Sequence, residues 1–248
     1  MNHTIDTILN HRSIRKFTED KLTDEQIHIL IKAAQQASTS SNVMAYTIIG
    51  VTDPVLKKEL RKISGQPYVE HNGHLFVFCG DLHRITQLST PEERIEMEET
   101  IESTEQFIVT IIDAALSAQN LAIAAESIGL GICYLGSLRN DIYHVSELLG
   151  LPDYVVPLFG MAVGTPAQQP ELKPRLPFEV VYHENKYLAD EIQQPAISSY
   201  DAELLEYYQT RSSNTKVDTW SEQMIRKYRN PIRMDVSSFV KEQKLNKR

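Results

Sequence analysis

Apolar residues recur at helical spacing after Thr23, with Ile27, Leu30, Ile31 and Ala34 on one face. Thr23 and Gln26 stand three residues apart ahead of that stripe, the arrangement of a capping box. A helix is therefore predicted to start there and to end in the polar run Ser38-Thr39-Ser40-Ser41-Asn42. A shorter helix is predicted to open at Asp6 and stop near His11. Apolar runs at 46–51, Leu75–Cys79, Ile132–Leu135 and Val155–Val163 predict four strands. Between the first two, Asp53-Pro54 supplies a cap and a first-turn proline for a helix to about Ile63, closed by Gly65. Seven glutamates between Glu92 and Glu105 predict an exposed helical segment. From about Thr104 to Ile128 the chain is apolar nearly all round: Ile108, Ile111, Ile112, Ala115, Leu116, Leu121, Ile123 and Ala124. Such a helix is predicted to be buried on most faces, as core or as a subunit interface. Asn140 is predicted to cap a further helix to about Leu149.

Beyond Gly164 the texture changes. Pro166, Pro170, Pro174 and Pro177 predict an extended connection, and short amphipathic helices are predicted at Ala202–Tyr208, Ser221–Arg229 and Val236–Lys244. The reading is one α+β domain, with a core at 1–165 and a C-terminal extension at 166–248 that packs on its own body or a partner's. At 248 residues such a core needs no disulfide or metal staple. A formal charge of -8 argues against nucleic acid or an anionic membrane as the main partner. Asp113, Gln119, Asn120 and Glu126 interrupt the most apolar stretch, which argues against a membrane span. The first residues lack the charged-then-apolar pattern of a signal peptide. Cys79 and Cys133 lie far apart inside apolar runs, so they read as buried residues of a reducing, cytoplasmic compartment and not as a metal or dithiol centre.

Three segments could carry chemistry. His11-Arg12-Ser13-Ile14-Arg15-Lys16-Phe17 puts three fixed cations and a hydroxyl within reach of one phosphate, although solvated basic clusters are common. Leu172-Lys173-Pro174-Arg175-Leu176-Pro177 alternates cations with prolines that limit backbone freedom; a plain surface turn also accounts for it. Tyr134-Leu135-Gly136-Ser137 stands at a strand end, where a glycine would let a planar ring approach the backbone, or simply form a turn. The Rossmann, P-loop, nucleophile-elbow and zincin motifs are missing, so a bound nucleotide would be held by side chains and scattered backbone groups.

Taken in order, these segments go further. With Ser38-Thr39-Ser40-Ser41, Gly65-Gln66, the run Asn120–Gly131, Thr210-Arg211-Ser212-Ser213-Asn214 and Asp218-Thr219-Trp220-Ser221, they closely resemble the oxygen-insensitive NADPH nitroreductase and flavin reductase family, in its branch with a long C-terminal extension. The resemblance covers almost the whole chain. It implies an α+β homodimer with a mostly antiparallel central sheet flanked by helices, the long helix at the interface, and two FMN molecules between the subunits. His11, Arg12, Ser13 and Arg15 would hold the phosphate and ribityl chain, and Lys173 and Arg175 would complete that anion site. Thr39 and Ser40 would come from the partner subunit, Gln66 would bond to the ring, and Tyr134, Leu135, Gly136 and Ser137 would line it. Arg211 and Lys216 would grip the 2′-phosphate of NADPH. Met44, Ser137 and Lys216 depart from the glutamine, glycine and arginine common at those places.

The implied activity is ping-pong hydride transfer from NADPH through FMN to small acceptors: nitroaromatics, quinones, free flavin, or by direct flavin reduction disulfides and metal oxyanions. The flavin itself carries the chemistry, so no catalytic residue and no metal is expected. A flavin reductase that releases reduced FMN is the enzymatic alternative, and a non-enzymatic flavin-binding or redox-sensing protein is the alternative of another class.

Overall fold

The computed structural model describes residues 2–211 and 217–248. They form two compact units, one of residues 2–169 with 233–248 and one of residues 170–211 with 217–232.

The first unit is built on a four-stranded antiparallel sheet, order β1-β2-β4-β3, from β1 (Tyr46–Val51), β2 (His74–Asp81), β3 (Gly131–Leu135) and β4 (Val155–Gly164). The two central strands are apolar without alternation because both sheet faces are covered. In β2, Phe76 and Phe78 pack toward α2 (Asp24–Gln35) and α6 (Thr104–Ser127), against Leu30, Ala34, Ala118, Leu121 and Ala122. Leu75, Val77 and Cys79 face the other way, toward α3 (Pro54–Ser64) and α7 (Ile142–Leu149), against Leu60 and Val145. A third cluster joins Tyr46, Leu82, Val109 and Tyr154 to Phe239, Val240 and Leu245 on and after α11 (Val236–Glu242). Residues 233–248, grouped with the extension on sequence, thus pack with the first unit. The remaining helices of this unit are α1 (His3–Leu9), α4 (His83–Thr86) and α5 (Pro91–Ile101).

Local chemistry explains most boundaries. Thr23 and Gln26 form the reciprocal capping box of α2, and the Asp53 side chain accepts from Val55 and Leu56 N–H at the start of α3. Gly65 ends α3 at φ 70, a left-handed conformation that favours glycine. The cap of α7 is Asp141, whose Oδ1 accepts from His144 N–H, rather than Asn140. Asn140 instead donates to the Ile63 carbonyl and accepts from Arg233. The first helix starts at His3, earlier than predicted, because Asn2 caps it.

The glutamate-rich stretch is mostly exposed, as expected, with one exception. Glu102 is 2% exposed and is held by Lys247 Nζ at 2.9 Å and Arg248 at 3.6 Å. Helix α6 has the length and apolarity of a membrane-crossing helix, yet it packs against α2, β1, β2 and β3. It is not buried all round: Ile108, Ile111, Ile112 and Leu116 form an exposed stripe, each about two-fifths accessible.

The second unit holds α8 (Phe178–Val181), α9 (Asp190–Thr210) and α10 (Trp220–Arg229). Tyr200, Leu204 and Tyr208 are its buried centre, with Leu176, Tyr207 and Trp220 packed on them. Helix α9 is three times the length of the Ala202–Tyr208 segment predicted, and contains Pro195 in its second turn.

Candidate functional site

Segment 11–17 leaves α1 and runs along the edge strand β3. Ile14 N–H donates to the Ile132 carbonyl at 2.8 Å, Ser13 bridges Ile132 in parallel, and Ala167 N–H donates to the Lys16 carbonyl at 2.9 Å. The fit depends on Gly131, where a Cβ would stand 2.5 Å from Ile14 Cγ1. The segment thereby places its basic side chains beside the β3 edge and the end of α6.

His11 Nδ1 donates to Glu126 Oε1 at 2.6 Å, in the last turn of α6. Arg12 reaches the Asn10 carbonyl through Nη1 at 3.2 Å, but its Nε is buried without a hydrogen-bond partner. Both Arg12 and Glu126 line a cleft of about 480 Å³, with Thr7, Asn10, Gly131 and Gln168. A buried guanidinium N–H left unpaired is costly, and a guanidinium beside a cleft is suited to meet an anionic group.

Arg15 lies beside Tyr68 and Cys133. Burial, the largest influence, raises the Tyr68 phenol above its usual range, and Arg15 pulls against it. Gln66 sits between Gly65 and the 3-10 turn Pro67–Val69, and this corner is tied to Ser137 through Ser64 Oγ, 2.6 Å from Ser137 Oγ. Tyr134 Oη donates to Gln119 at 3.2 Å and sets its ring edge-on to Phe159. Leu135 is buried, whereas the backbone at Gly136 is flanked by two guanidinium groups. A Cβ there would lie 3.3 Å from Arg139 Nη2 and 3.8 Å from Arg233 Nη1. Arg139 donates to the Leu158 carbonyl, and burial together with Arg233 lowers its pKa.

Thr39 and Ser40 lie elsewhere on the unit. Ser40 N–H donates to Asp113 Oδ1 at 2.9 Å, thirteen residues before Glu126 on α6, or roughly 20 Å along the helix axis. The chain therefore holds the 39–45 loop and the His11 segment at separate places on one helix.

In the second unit, Arg175 Nη1 donates to the Lys173 carbonyl at 2.7 Å, and Tyr200 Oη donates to the Pro174 carbonyl at 3.1 Å. Lys173 Nζ stands 5.5 Å from the centre of the Tyr208 ring, and Arg211 Cζ stands 4.6 Å from that centre. Two cations assigned separate roles on sequence thus meet at one aromatic ring. Lys216 lies outside the described residues.

The thiols are not poised for nucleophilic work. Burial pushes Cys79 up to about 12 and also raises Cys133. His74 is pushed down to about 4 by burial, with Lys57 and Lys21 adding to the effect, so it is neutral near pH 7. No group of three metal-ligating side chains occurs among the described residues.

The site is thus a helix-covered antiparallel sheet with an arginine-bearing segment laid along its edge strand beside a cleft. The chain belongs to the nitroreductase family: residues 8–165 match that family and residues 173–248 match its C-terminal domain. It is 52% identical, over the full length of both chains, to the FMN reductase (NADPH) of Bacillus subtilis. The solved NfrA1 nitroreductase from B. subtilis superposes with a TM-score of 0.93 at 51% identity, covering 99% of this chain and all of that one. The NADPH:FMN oxidoreductase of Vibrio harveyi, solved with NAD+, gives 0.89 at 40% identity and full coverage of both.

Several residues at these places were not singled out as site residues on sequence. Asp113 and Glu126 carried a usable signal, because an acidic side chain on an otherwise apolar helix requires a buried partner. Arg233 and Tyr68 carried none, since Asn140 and Arg15, their partners at these places, are distant in the chain.

Proposed function

We propose that this chain is an FMN-dependent NADPH oxidoreductase, acting as a cytoplasmic homodimer on small, flat, electron-poor acceptors such as nitroaromatics, quinones or free flavin. The observation that carries the reading is Arg12, which lines a cleft sized for part of a nucleotide and whose buried Nε has no hydrogen-bond partner. A guanidinium fork matches phosphate oxygens, so the residues present fit the phosphate end of FMN. The relative described as FMN reductase (NADPH) supports the same cofactor pair, and those described as NADPH-dependent oxidoreductase support the reductant.

In this reading His11, Arg12, Ser13 and Arg15 bind the phosphate and ribityl chain, and Glu126 orients His11. Gln66 bonds to the ring, which Tyr134, Leu135, Gly136 and Ser137 line. Lys173 and Arg175, from the extension, add positive charge to the flavin site. Arg211, steadied over Tyr208, meets the 2′-phosphate of NADPH, together with Lys216. FMN, when bound, supplies the two-electron chemistry that takes hydride from the nicotinamide and passes it to the acceptor. The protein binds and orients, and the lifted thiol pKa values leave neither cysteine a part in proton or group transfer.

The homodimer is supported by the exposed stripe Ile108, Ile111, Ile112 and Leu116, an apolar surface that a second α6 would cover. It is also supported by the position of Thr39 and Ser40, which on this reading serve the flavin of the other subunit. Anaerobic stopped-flow of the purified holoprotein tests the proposal. NADPH should bleach the visible flavin bands, and a quinone or nitroaromatic should restore them. A protein that takes up no FMN, or whose bound FMN is untouched by NADPH, would overturn it.

A further inference from the structure

We infer that Asp113 is a positioning residue, whose buried carboxylate latches the Ser40–Ala45 loop into the shape that presents Thr39 and Ser40 to the flavin of the other subunit. The inference rests on the function proposed above and adds a residue to that site.

Helix α6 is apolar along its inward side, and Asp113 stands on that side with no exposure to solvent. A carboxylate so placed must have its oxygens occupied by donors. Both are taken by one loop: Oδ1 accepts from Ser40 N–H at 2.9 Å and Oδ2 accepts from Ala45 N–H at 3.0 Å. The two bonds therefore pin the loop at its two ends.

Between those ends the backbone does not hold its own shape. Ser41, Asn42 and Met44 have φ of 46, 60 and 52, a region that L side chains adopt reluctantly and rarely in succession. Internal support is limited to Val43 N–H on the Ser40 carbonyl and Tyr46 N–H on the Met44 carbonyl, both at 2.8 Å. From outside, Arg84 Nη1 donates to the Met44 carbonyl at 3.3 Å and Asp81 N–H donates to the Ala45 carbonyl at 3.0 Å. Asp113 supplies two charge-assisted bonds, one at each end of the loop, and one of them acts on the backbone of Ser40 itself. The backbone that carries Ser40, and Thr39 beside it, is thus held from α6.

Asp113→Asn keeps the size and replaces one acceptor with an amide N–H that faces a loop N–H, so one bond is lost and two donors meet. Leu121→Val, in the core cluster on the same helix, serves as a comparison that does not touch the loop. Two measurements are made on each apoprotein: hydrogen exchange of the peptide spanning 38–47, and FMN affinity by fluorescence titration. Asp113→Asn should speed exchange in that peptide at least tenfold and weaken FMN binding about tenfold or more, while Leu121→Val changes either by less than about twofold. Unchanged exchange in Asp113→Asn, faster exchange with unchanged FMN affinity, or an equal loss of affinity in Leu121→Val each overturns the inference. Failure of the wild-type protein to bind FMN is a separate result, seen without any variant, and it would overturn the proposed function.

Discussion

Arg12→Ala should weaken FMN binding while leaving the ligand-free protein no less stable, and the two halves of that outcome come from different atoms. In the ligand-free chain Arg12 makes one long bond to the Asn10 carbonyl, partly exposed and contributing about 0.5 kcal/mol. Against this stands its Nε, buried without a partner, a penalty of about 1 kcal/mol or more that alanine removes. The net change in folding stability is therefore about zero or slightly favourable. With phosphate in the cleft the sign reverses, because a charge-assisted bond from the guanidinium contributes about 1.5–3 kcal/mol. Losing it raises the FMN dissociation constant about ten- to a hundredfold. Urea denaturation of the apoprotein and fluorescence titration with FMN read the two quantities separately. A variant that unfolds about 1 kcal/mol more easily and still binds FMN like the wild type would refute the reasoning on both counts.

Lys247→Met should destabilise the protein by about 2 kcal/mol, since it leaves Glu102 buried with only the more distant Arg248; calorimetry should show a fall in Tm of about 4–8 °C. His74 makes the stability fall in acid: its folded pKa of about 4 lies below the unfolded value near 6.5, so the unfolded chain binds the extra proton between those limits. About 3 kcal/mol present above pH 6.5 should drain away as pH drops toward 4, and His74→Phe should flatten that limb of the urea midpoint profile. Arg211→Ala should raise the KM for NADPH about tenfold and leave that for NADH almost unchanged; equal effects on the two would remove Arg211 from the 2′-phosphate role.

What the sequence made legible was decided by the range of the interactions involved. Thr23 with Gln26, Asp53 with Pro54, and Gly65 act within a few residues of themselves, so the ends of α2 and α3 were readable. The apolar runs located all four strands for the same reason, but not their order, which depends on pairings across the chain. Asn140 and Asp141 are equally good caps by type, and the contact of Asn140 with Ile63 decided between them. Helix α9 escaped notice because its polar sequence with Pro195 has little intrinsic helical signal, and the Tyr200, Leu204 and Tyr208 cluster holds it. Glu102 looked like one more solvated acid, since its partner stands 145 residues away. The basic segments were visible as cations, whereas the unpartnered Nε of Arg12 depends on burial that only the folded chain creates. Asp113 was read as a reason why α6 does not cross a membrane; the amides that explain it lie 68 and 73 residues earlier.

The return of residues 233–248 to the first unit bears on how the polypeptide can be made. Phe239, Val240 and Leu245 fill a cluster with Tyr46, Leu82 and Val109, so part of that hydrophobic interior stays open until the whole intervening excursion has left the ribosome. At translation rates of 5–20 residues per second, the roughly 70 residues between Gln169 and Phe239 impose a wait of about 4–14 s with an unfinished sheet domain exposed. Contacts spanning most of the chain also make the final closure slow in the refolding tube. For this enzyme the last helix is a keystone, and the nascent protein spends its most aggregation-prone seconds without it.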